Sequence, residues 1–140
     1  MISVIKKIKR TLVSIVASAM CVTGGIGTIS ASAASPSQAT FNFNLGQGGS
    51  DYSSSAPKLN ELAYSTAMPT GGFLSTTIPL YLRIYNNSHT SALSNSEEFT
   101  YLYQQENIHF TTVTPSINTY ICLKGNAGYY GVEVVGVWTP

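Results

Sequence analysis

The stretch TIPLYLRIY (residues 77–85) carries the pattern that decides the fold class. Every second residue is isoleucine or leucine, and the residues between them are aromatic, basic or proline. A period of two places the two sets on opposite faces of a β-strand, so the aliphatic face is predicted to lie in a core. Pro79 has no amide hydrogen for a ladder bond, which predicts that its end of the strand lies at an edge or a start.

The same alternation extends outward from this strand along the chain. Further strands are predicted at 41–45, 99–103, 108–112 and 130–138, with a continuous apolar run at 120–123 and a weaker strand at 62–66. Polar turns rich in glycine, serine or asparagine separate them at 46–55, 69–72, 86–96 and 125–128. Only 58–63 has helical character, enough for a single turn. Short strands separated by such turns favour a sandwich or a small open barrel. We expect an all-β fold, a single antiparallel β-sandwich of about seven strands.

The first 33 residues have the pattern of a targeting segment. Basic residues within 6–10 precede an apolar run at 12–29, and Ala31-Ser32-Ala33 supplies the small residues that a signal peptidase requires. Serine, threonine and glycine dilute the apolar run, which therefore matches a transmembrane anchor of roughly 20 apolar residues poorly. Cys21 would be the acylated residue of a lipoprotein, but Met20 stands where a small residue is usual. We predict a signal peptide at 1–33, cleaved after Ala33 or Ala34, and a secreted, extracellular domain at 34–140 without a membrane span.

Removal of the signal peptide changes the charge balance. The domain keeps three basic residues and six acidic ones, a net charge of −3, whereas the whole chain has a net charge of +1. Nucleic acids and anionic membrane surfaces are bound through clustered lysine and arginine. No nucleic-acid partner is therefore expected.

A single cysteine, Cys122, remains in the predicted domain, so no internal disulfide can form. Small secreted domains often rely on disulfides to compensate for a small core. This domain has about 107 residues, enough for one hydrophobic core. Because Cys122 lies in an apolar run, we expect a buried, inert thiol rather than a reactive one.

No arrangement of residues specifies a reaction or a metal site. His89 and His109 lie in a loop and a strand without the additional ligands at usable spacing that zinc requires. A serine triad would depend on Asp51, and no nucleophile-elbow motif is present. Glu97 and Glu98 are adjacent and point to opposite sides of a strand, unlike paired glycosidase carboxylates. We predict no catalytic residue, no metal and no cofactor.

Aromatic residues are the strongest compositional feature. All nine tyrosines, five phenylalanines and the one tryptophan lie beyond residue 33. Tyrosine offers a large contact area at low entropic cost, so a tyrosine-lined face could stack on sugars or bind a protein. The alternative is that these residues simply favour strands and pair across them. The candidate binding residues are Tyr81, Tyr85, Tyr101, Tyr103 and Trp138.

The final strand, GVEVVGVWTP (131–140), also carries a resemblance. Its Gly-x-Trp ending, the opening Phe41-Asn42-Phe43 and the loop with Tyr52-Ser53-Ser54 resemble the DUF2712-type family of small secreted Gram-positive bacterial proteins of unknown function. Members are considered alongside bacteriocin and immunity systems. The resemblance implies that association, and it carries over no catalytic residue.

These observations predict a secreted, non-enzymatic binding or interaction module that acts at the bacterial cell surface. Its partner would be a protein or a cell-envelope component, and a bacteriocin-like or bacteriocin-associated protein is the most concrete version. The alternative is a carbohydrate-binding module, for which Tyr81, Tyr85 and Trp138 would have to be exposed on one sheet face. A small hydrolase and a structural role, with self-association through unpaired strand edges, are further alternatives.

Overall fold

Two antiparallel sheets form the fold. The computed structural model describes residues 38–111 and 113–140, so the predicted signal peptide lies outside the described residues. The strands are β1 (Ala39–Leu45), β2 (Ser50–Tyr52), β3 (Ala56–Pro57), β4 (Tyr64–Gly72), β5 (Leu80–Asn86), β6 (Glu97–Phe99), β7 (Glu106–His109), β8 (Tyr120–Ala127) and β9 (Val132–Thr139). Sheet A has the order β1-β9-β4-β7, and sheet B has the order β2-β8-β5-β6 with β3 also paired to β8. The predicted all-β fold is confirmed.

The described part of the chain contains no helix that is long and apolar enough to cross a bilayer.

The core lies between the inner faces of the two sheets. β5 contributes the aliphatic face predicted from its alternation, and Pro79 immediately precedes this strand as expected. β1 and β9 contribute the opposing layer from sheet A. The largest buried side chains of this core are Phe41, Phe43, Phe99, Trp138, Leu80, Leu82, Ile84, Ile108, Ile121 and Leu123.

Glycines make room for the phenylalanines of β1. A Cβ atom at Gly125 in β8 would lie 2.6 Å from the ring of Phe43. Gly136 in β9 is the register partner of Phe41, and a Cβ atom there would meet the Phe41 ring and lie 2.6 Å from the Met68 carbonyl oxygen. Close packing of the two sheets over β1 therefore depends on the absence of a side chain at both positions.

Two serine hydroxyls continue the hydrogen bonding of sheet B where strands are interrupted. Ser53 lies between β2 and β3, and its hydroxyl accepts the amide hydrogen of Leu123 at 2.9 Å. Ser94 precedes β6, and its hydroxyl accepts the amide hydrogen of Ile84 at 2.8 Å. Both hydroxyls also donate to a following carbonyl oxygen. Buried backbone groups thereby keep partners although the neighbouring strands are short.

β4 extends through residues 69–72, which were predicted to be a loop. Pro69 is compatible with a strand here because β7 pairs with β4 only from Tyr64 to Ala67. The register to β9 shifts between Pro69 and Gly71, which marks a β-bulge. The loop prediction was wrong because a bulge uses the same residue types as a turn.

Other local predictions were also wrong, among them the turn at 125–128, because β8 runs to Ala127. Residues 58–63 form no helical turn; the Lys58 ammonium group donates to the Leu62 carbonyl oxygen at 2.9 Å and thereby closes this segment. The strand predicted at 99–103 ends at Phe99, because the chain turns there toward sheet A. The Gln104 side chain accepts the Thr100 amide hydrogen at 2.8 Å within that turn. The number of strands also exceeds the prediction, since β2 lies within the predicted loop at 46–55 and β3 follows that loop directly.

Candidate binding face

The outer face of sheet B brings tyrosine and basic side chains into one row. Tyr52 on β2 is the register partner of Lys124 on β8, and Lys124 is the partner of Arg83 on β5. Directly opposed residues in antiparallel strands point to the same face, so the three side chains lie side by side. All three are half-buried and reach solvent. Tyr85 follows Arg83 by two residues and lies on the same face.

These side chains form a compact cluster with His89. The Tyr52 and His89 rings are parallel, with centroids 3.9 Å apart and an interplanar angle of 1°. The Tyr85 ring meets Tyr52 edge-on at 5.4 Å. The Lys124 ammonium group lies 5.3 Å from the Tyr52 ring centroid and 5.4 Å from that of Tyr85. We call Tyr52, Tyr85, His89 and Lys124 the aromatic–lysine cluster; its contacts are stacking and cation–π interactions.

The loop after β5 holds His89 in the cluster. The Asn86 side chain closes this loop, because its Oδ1 atom accepts the amide hydrogens of Thr90 and Ser91 at 2.9 and 3.0 Å. His89 itself has a φ of 61°, and its amide donates to the Asn86 carbonyl oxygen. Ser55 donates a hydrogen bond to Asn87 and ties the loop to the neighbouring edge of sheet B. The ring that stacks on Tyr52 is therefore held by a loop with several internal hydrogen bonds.

Accessible positive charge in the described residues is concentrated on this face. Of their three basic residues, Arg83 and Lys124 lie here, and Arg83 also lies 6.0 Å from the Tyr85 ring. Lys58 is buried elsewhere, over the ring of Phe110 at 5.0 Å, and burial lowers its pKa. A domain with a predicted net charge of −3 thus presents its two accessible cations together.

Tyr81 lies on the same face beside an acidic group. Its register partners are Glu98 on β6 and Asn126 on β8. The Tyr81 hydroxyl donates to the Glu98 carboxylate at 3.3 Å. Desolvation and then the Glu98 charge raise the pKa of Tyr81. The face therefore has a basic aromatic part at the cluster and an acidic part toward β6.

Trp138 does not belong to this face, although it was predicted as a binding residue. It is 1% exposed and lies in the core, opposite Ala67 on β4. The alternation of β9 placed it correctly with Val132 and Val134, and that face is the buried one. Tyr81, Tyr85 and Trp138 therefore do not form an exposed aromatic trio. The prediction that these three residues form an exposed carbohydrate site was therefore wrong.

Tyr101 and Tyr103 are exposed but do not join Tyr81 and Tyr85. They lie in the turn between β6 and β7, with exposures of 59% and 66%. Tyr103 has a φ of 64°, and its amide donates to the Pro69 carbonyl oxygen at 2.7 Å. Two of the five predicted binding residues therefore lie on the candidate face, two in this turn and one in the core.

Tyr52, His89 and Lys124 were not predicted as binding residues from the sequence. Tyr52 lies on a strand of three residues that was assigned to a loop, and His89 lies in a loop whose docking position depends on tertiary contacts. Lys124 had a usable signal, because it directly follows the apolar run at 120–123, and the period of two of a strand puts it on the face opposite to Leu123. Extending that strand would have placed its basic side chain on the outer face.

Among the described residues, neither histidine lies next to a set of potential metal ligands. His109 contacts Tyr64 with ring centroids 5.4 Å apart and the rings tilted by 57°, whereas His89 stacks in parallel on Tyr52. Within residues 38–111 and 113–140, no group of three or more His, Cys, Asp or Glu side chains could hold a metal ion. A shallow hollow of about 140 Å³ on sheet A is lined by Thr66, Met68 and Val137 among others. A second hollow, of about 440 Å³, is lined by Glu61, Pro115 and Ile117 among others and is more open. Sites for small molecules usually measure roughly 300–1,000 Å³, so only the second hollow has that size.

Comparison with known proteins gives no relative: no family model, no curated protein and no solved structure matches the chain.

Proposed function

We propose that this chain is a secreted, non-enzymatic binding module that acts at the bacterial cell surface through the outer face of sheet B. The observation that supports this proposal is the aromatic–lysine cluster, in which three rings and a lysine meet on a sheet face. Tyrosine and histidine rings provide a flat, partly polar contact area that loses little entropy on binding. The sheet and the closed loop at Asn86 hold that area in place before binding.

The charge of the cluster favours a partner with anionic groups. Lys124 and Arg83 are opposed across β8 and β5, so one ligand group can reach both. The other ionised side chains at the surface of the described residues are acidic, including Glu98 toward β6 on the same face, so such a partner is attracted at the cluster. An envelope polymer or surface protein with carboxylate or phosphate groups fits this distribution.

A carbohydrate-binding module is the second candidate. The arrangement that would support it now consists of Tyr52 and Tyr85 rather than the trio with Trp138. Their edge-on packing leaves a smaller flat area than two coplanar rings. This candidate predicts retention on isolated peptidoglycan that a soluble sugar competes away.

The test measures retention of the protein, expressed from the full-length sequence and purified in the form that the expressing cell releases. It is incubated with whole Gram-positive cells and with isolated peptidoglycan. Tyr52→Ala removes the ring at the centre of the cluster, and Lys124→Gln removes the charge while keeping most of the stem. We expect each change to weaken retention at least roughly tenfold, because central aromatic and cationic contacts carry most of the binding energy.

Tyr129→Ala is the matched control. Tyr129 is 73% exposed and packs edge-on against Tyr130, in the turn between β8 and β9. Retention of this variant should equal that of the parent protein. Equal losses in the control and the cluster variants, or no retention of the parent on either material, would contradict the proposed function. Thermal unfolding of all variants checks that the fold is intact.

The bacteriocin-like or bacteriocin-associated version of this function makes a separate prediction. Addition of the released protein to related bacteria should inhibit their growth, or protect them against an inhibitor from the producing strain. A cluster variant should lose either effect together with its retention on cells. If the protein is retained on cells but has no effect on growth, the bacteriocin version is rejected and the binding function still stands.

A further inference from the structure

β1 lies at an edge of sheet A and lacks the features that usually prevent an edge strand from pairing with another chain. It pairs with β9 over seven residues, from Ala39 to Leu45, and within residues 38–111 and 113–140 no strand pairs with its second edge. Its sequence, ATFNFNL, contains no charge and no proline, and its register to β9 is continuous without a bulge. An edge of this kind exposes unpaired backbone amide and carbonyl groups that can template another strand.

The other edges of the two sheets each carry a feature that blocks such pairing. β2 contains Asp51, and β3 contains Pro57. β6 is three residues long and contains two glutamates, and β7 is four residues long and contains Glu106. Short strands, charges and proline are the usual protection of sheet edges. β1 is therefore the edge at which the fold permits pairing.

We propose that β1 pairs with β1 of a second copy of this chain, in antiparallel orientation about a two-fold axis at Asn42. This residue is the centre of the strand, so the axis there pairs all seven residues: Asn42 with itself, Phe41 with Phe43, and Thr40 with Asn44. Sheet A then continues across the axis as an eight-stranded sheet. The symmetry is that of an isologous dimer, in which one patch serves both copies.

The side chains of β1 suit this self-pairing. Thr40, Asn42 and Asn44 are exposed on the outer face, while Phe41 and Phe43 lie in the core. An asparagine amide both donates and accepts hydrogen bonds, so it can pair with the same group of the second copy. No like charges meet at the axis. Because the aromatic side chains are already buried, backbone hydrogen bonds dominate the contact, and we expect a dimer that depends on concentration.

The first experiment is site-specific cross-linking of the full chain in a Cys21→Ser background. Cys122 is buried, so an introduced cysteine is the accessible thiol in each variant. Directly opposed residues have Cβ atoms about 4.5–5.5 Å apart, which is close to disulfide distance. Asn42→Cys should form a disulfide-linked dimer on mild oxidation. Asn107→Cys, an exposed asparagine on the β7 edge of the same sheet, is the control and should stay monomeric.

The register is tested by mixing two variants. Thr40→Cys and Asn44→Cys should cross-link when mixed, and much less when each is alone. Efficient cross-linking of either variant alone would move the axis away from Asn42 and overturn the proposed register. Equal cross-linking at Asn42 and Asn107 would show random collision and overturn the dimer itself.

Sedimentation equilibrium tests the dimer without introduced cysteines. The released protein should show a dimer fraction that rises with concentration, and Asn42→Lys should abolish it by placing two like charges at the axis. Ser96→Lys adds the same charge in an exposed loop next to β6 and should leave the dimer intact. A parent protein that is monomeric at all concentrations, or a loss of dimer in both variants, would reject the proposal. This proposal does not depend on the proposed function.

Discussion

Cys122 is completely buried although it lies on the outer face of sheet B. Its register partner is Tyr85, and its Sγ atom lies 3.5 Å from the Asn86 carbonyl oxygen. The burial expected from the sequence is thereby confirmed. Burial raises the pKa of the thiol to about 11. The neutral thiol is therefore the form that the fold favours.

The raised pKa of Cys122 predicts a pH dependence of stability. The pKa is about 11 in the folded state against an ordinary value of 9.0, so the neutral thiol contributes its full stabilisation below pH 9. As the pH rises from about 9 toward 11, ionisation of the unfolded state removes that contribution. Cys122→Val should lack this part of the decline. Urea unfolding at a series of pH values measures it, and parallel curves for both proteins would contradict the assigned burial effect.

At the scale of elements, sequence periodicity predicted those strands that exist because their side chains pack in the core. β1 and β5 alternate cleanly, because one face of each lies in the core, whereas β9 is buried on both faces from Val134 to Trp138. β2 and β3 have too few residues to show a period, and they are strands only because β8 supplies their hydrogen-bond partners. Residues 69–72 were misassigned for a related reason. Proline and glycine are typical of turns, and only the pairing with β9 reveals a bulge.

Removal of a buried hydroxyl should have opposite effects on stability at Ser94 and at Thr70. Ser94→Ala would remove the acceptor of the Ile84 amide hydrogen and leave this buried group of β5 without a partner. We expect a loss of about 1–3 kcal/mol in the free energy of unfolding. Thr70, at the bulge of β4, is buried, and its Oγ1 atom has no hydrogen-bond partner among the residues that the structure describes. Thr70→Val keeps the shape and removes this cost, so its stability should be equal or higher.

Denaturant unfolding of both variants checks this pair of effects. The comparison is informative because both positions lose one buried hydroxyl and keep a similar local packing. A similar destabilisation in both variants would mean that loss of packing, rather than hydrogen bonding, determines the cost. A neutral Ser94→Ala would show that the Ile84 amide finds another partner.

At the scale of the whole molecule, the candidate face combines residues that are far apart in the sequence. Tyr52, Tyr85 with His89, and Lys124 come from three separate segments. The alternation of β5 placed Tyr81 and Tyr85 on a common outer face, which could be derived from the sequence. The order β2-β8-β5 could not, and it is this order that brings Tyr52 and Lys124 to Tyr85. The aromatic content of the sequence therefore predicted that a tyrosine-rich surface exists. It did not identify most of the residues that form this surface.

The proposed binding face and the proposed pairing of β1 together predict multivalent attachment. A two-fold axis perpendicular to sheet A would leave the outer faces of both copies of sheet B pointing in the same direction. Two aromatic–lysine clusters would then face one surface, and a second contact would form at high effective concentration. Asn42→Lys leaves the cluster unchanged, but it should weaken retention on whole cells by roughly 10²-fold through loss of avidity.

Titration of cells with the parent protein, Asn42→Lys and Ser96→Lys measures this loss. A small soluble fragment of the retained polymer is the control, because it engages one cluster at a time and should bind the parent and Asn42→Lys equally. Equal loss for the soluble fragment would show that Asn42→Lys perturbs the cluster itself. Unchanged retention of Asn42→Lys on cells would show that a single copy is sufficient, and that pairing through β1 contributes nothing to attachment.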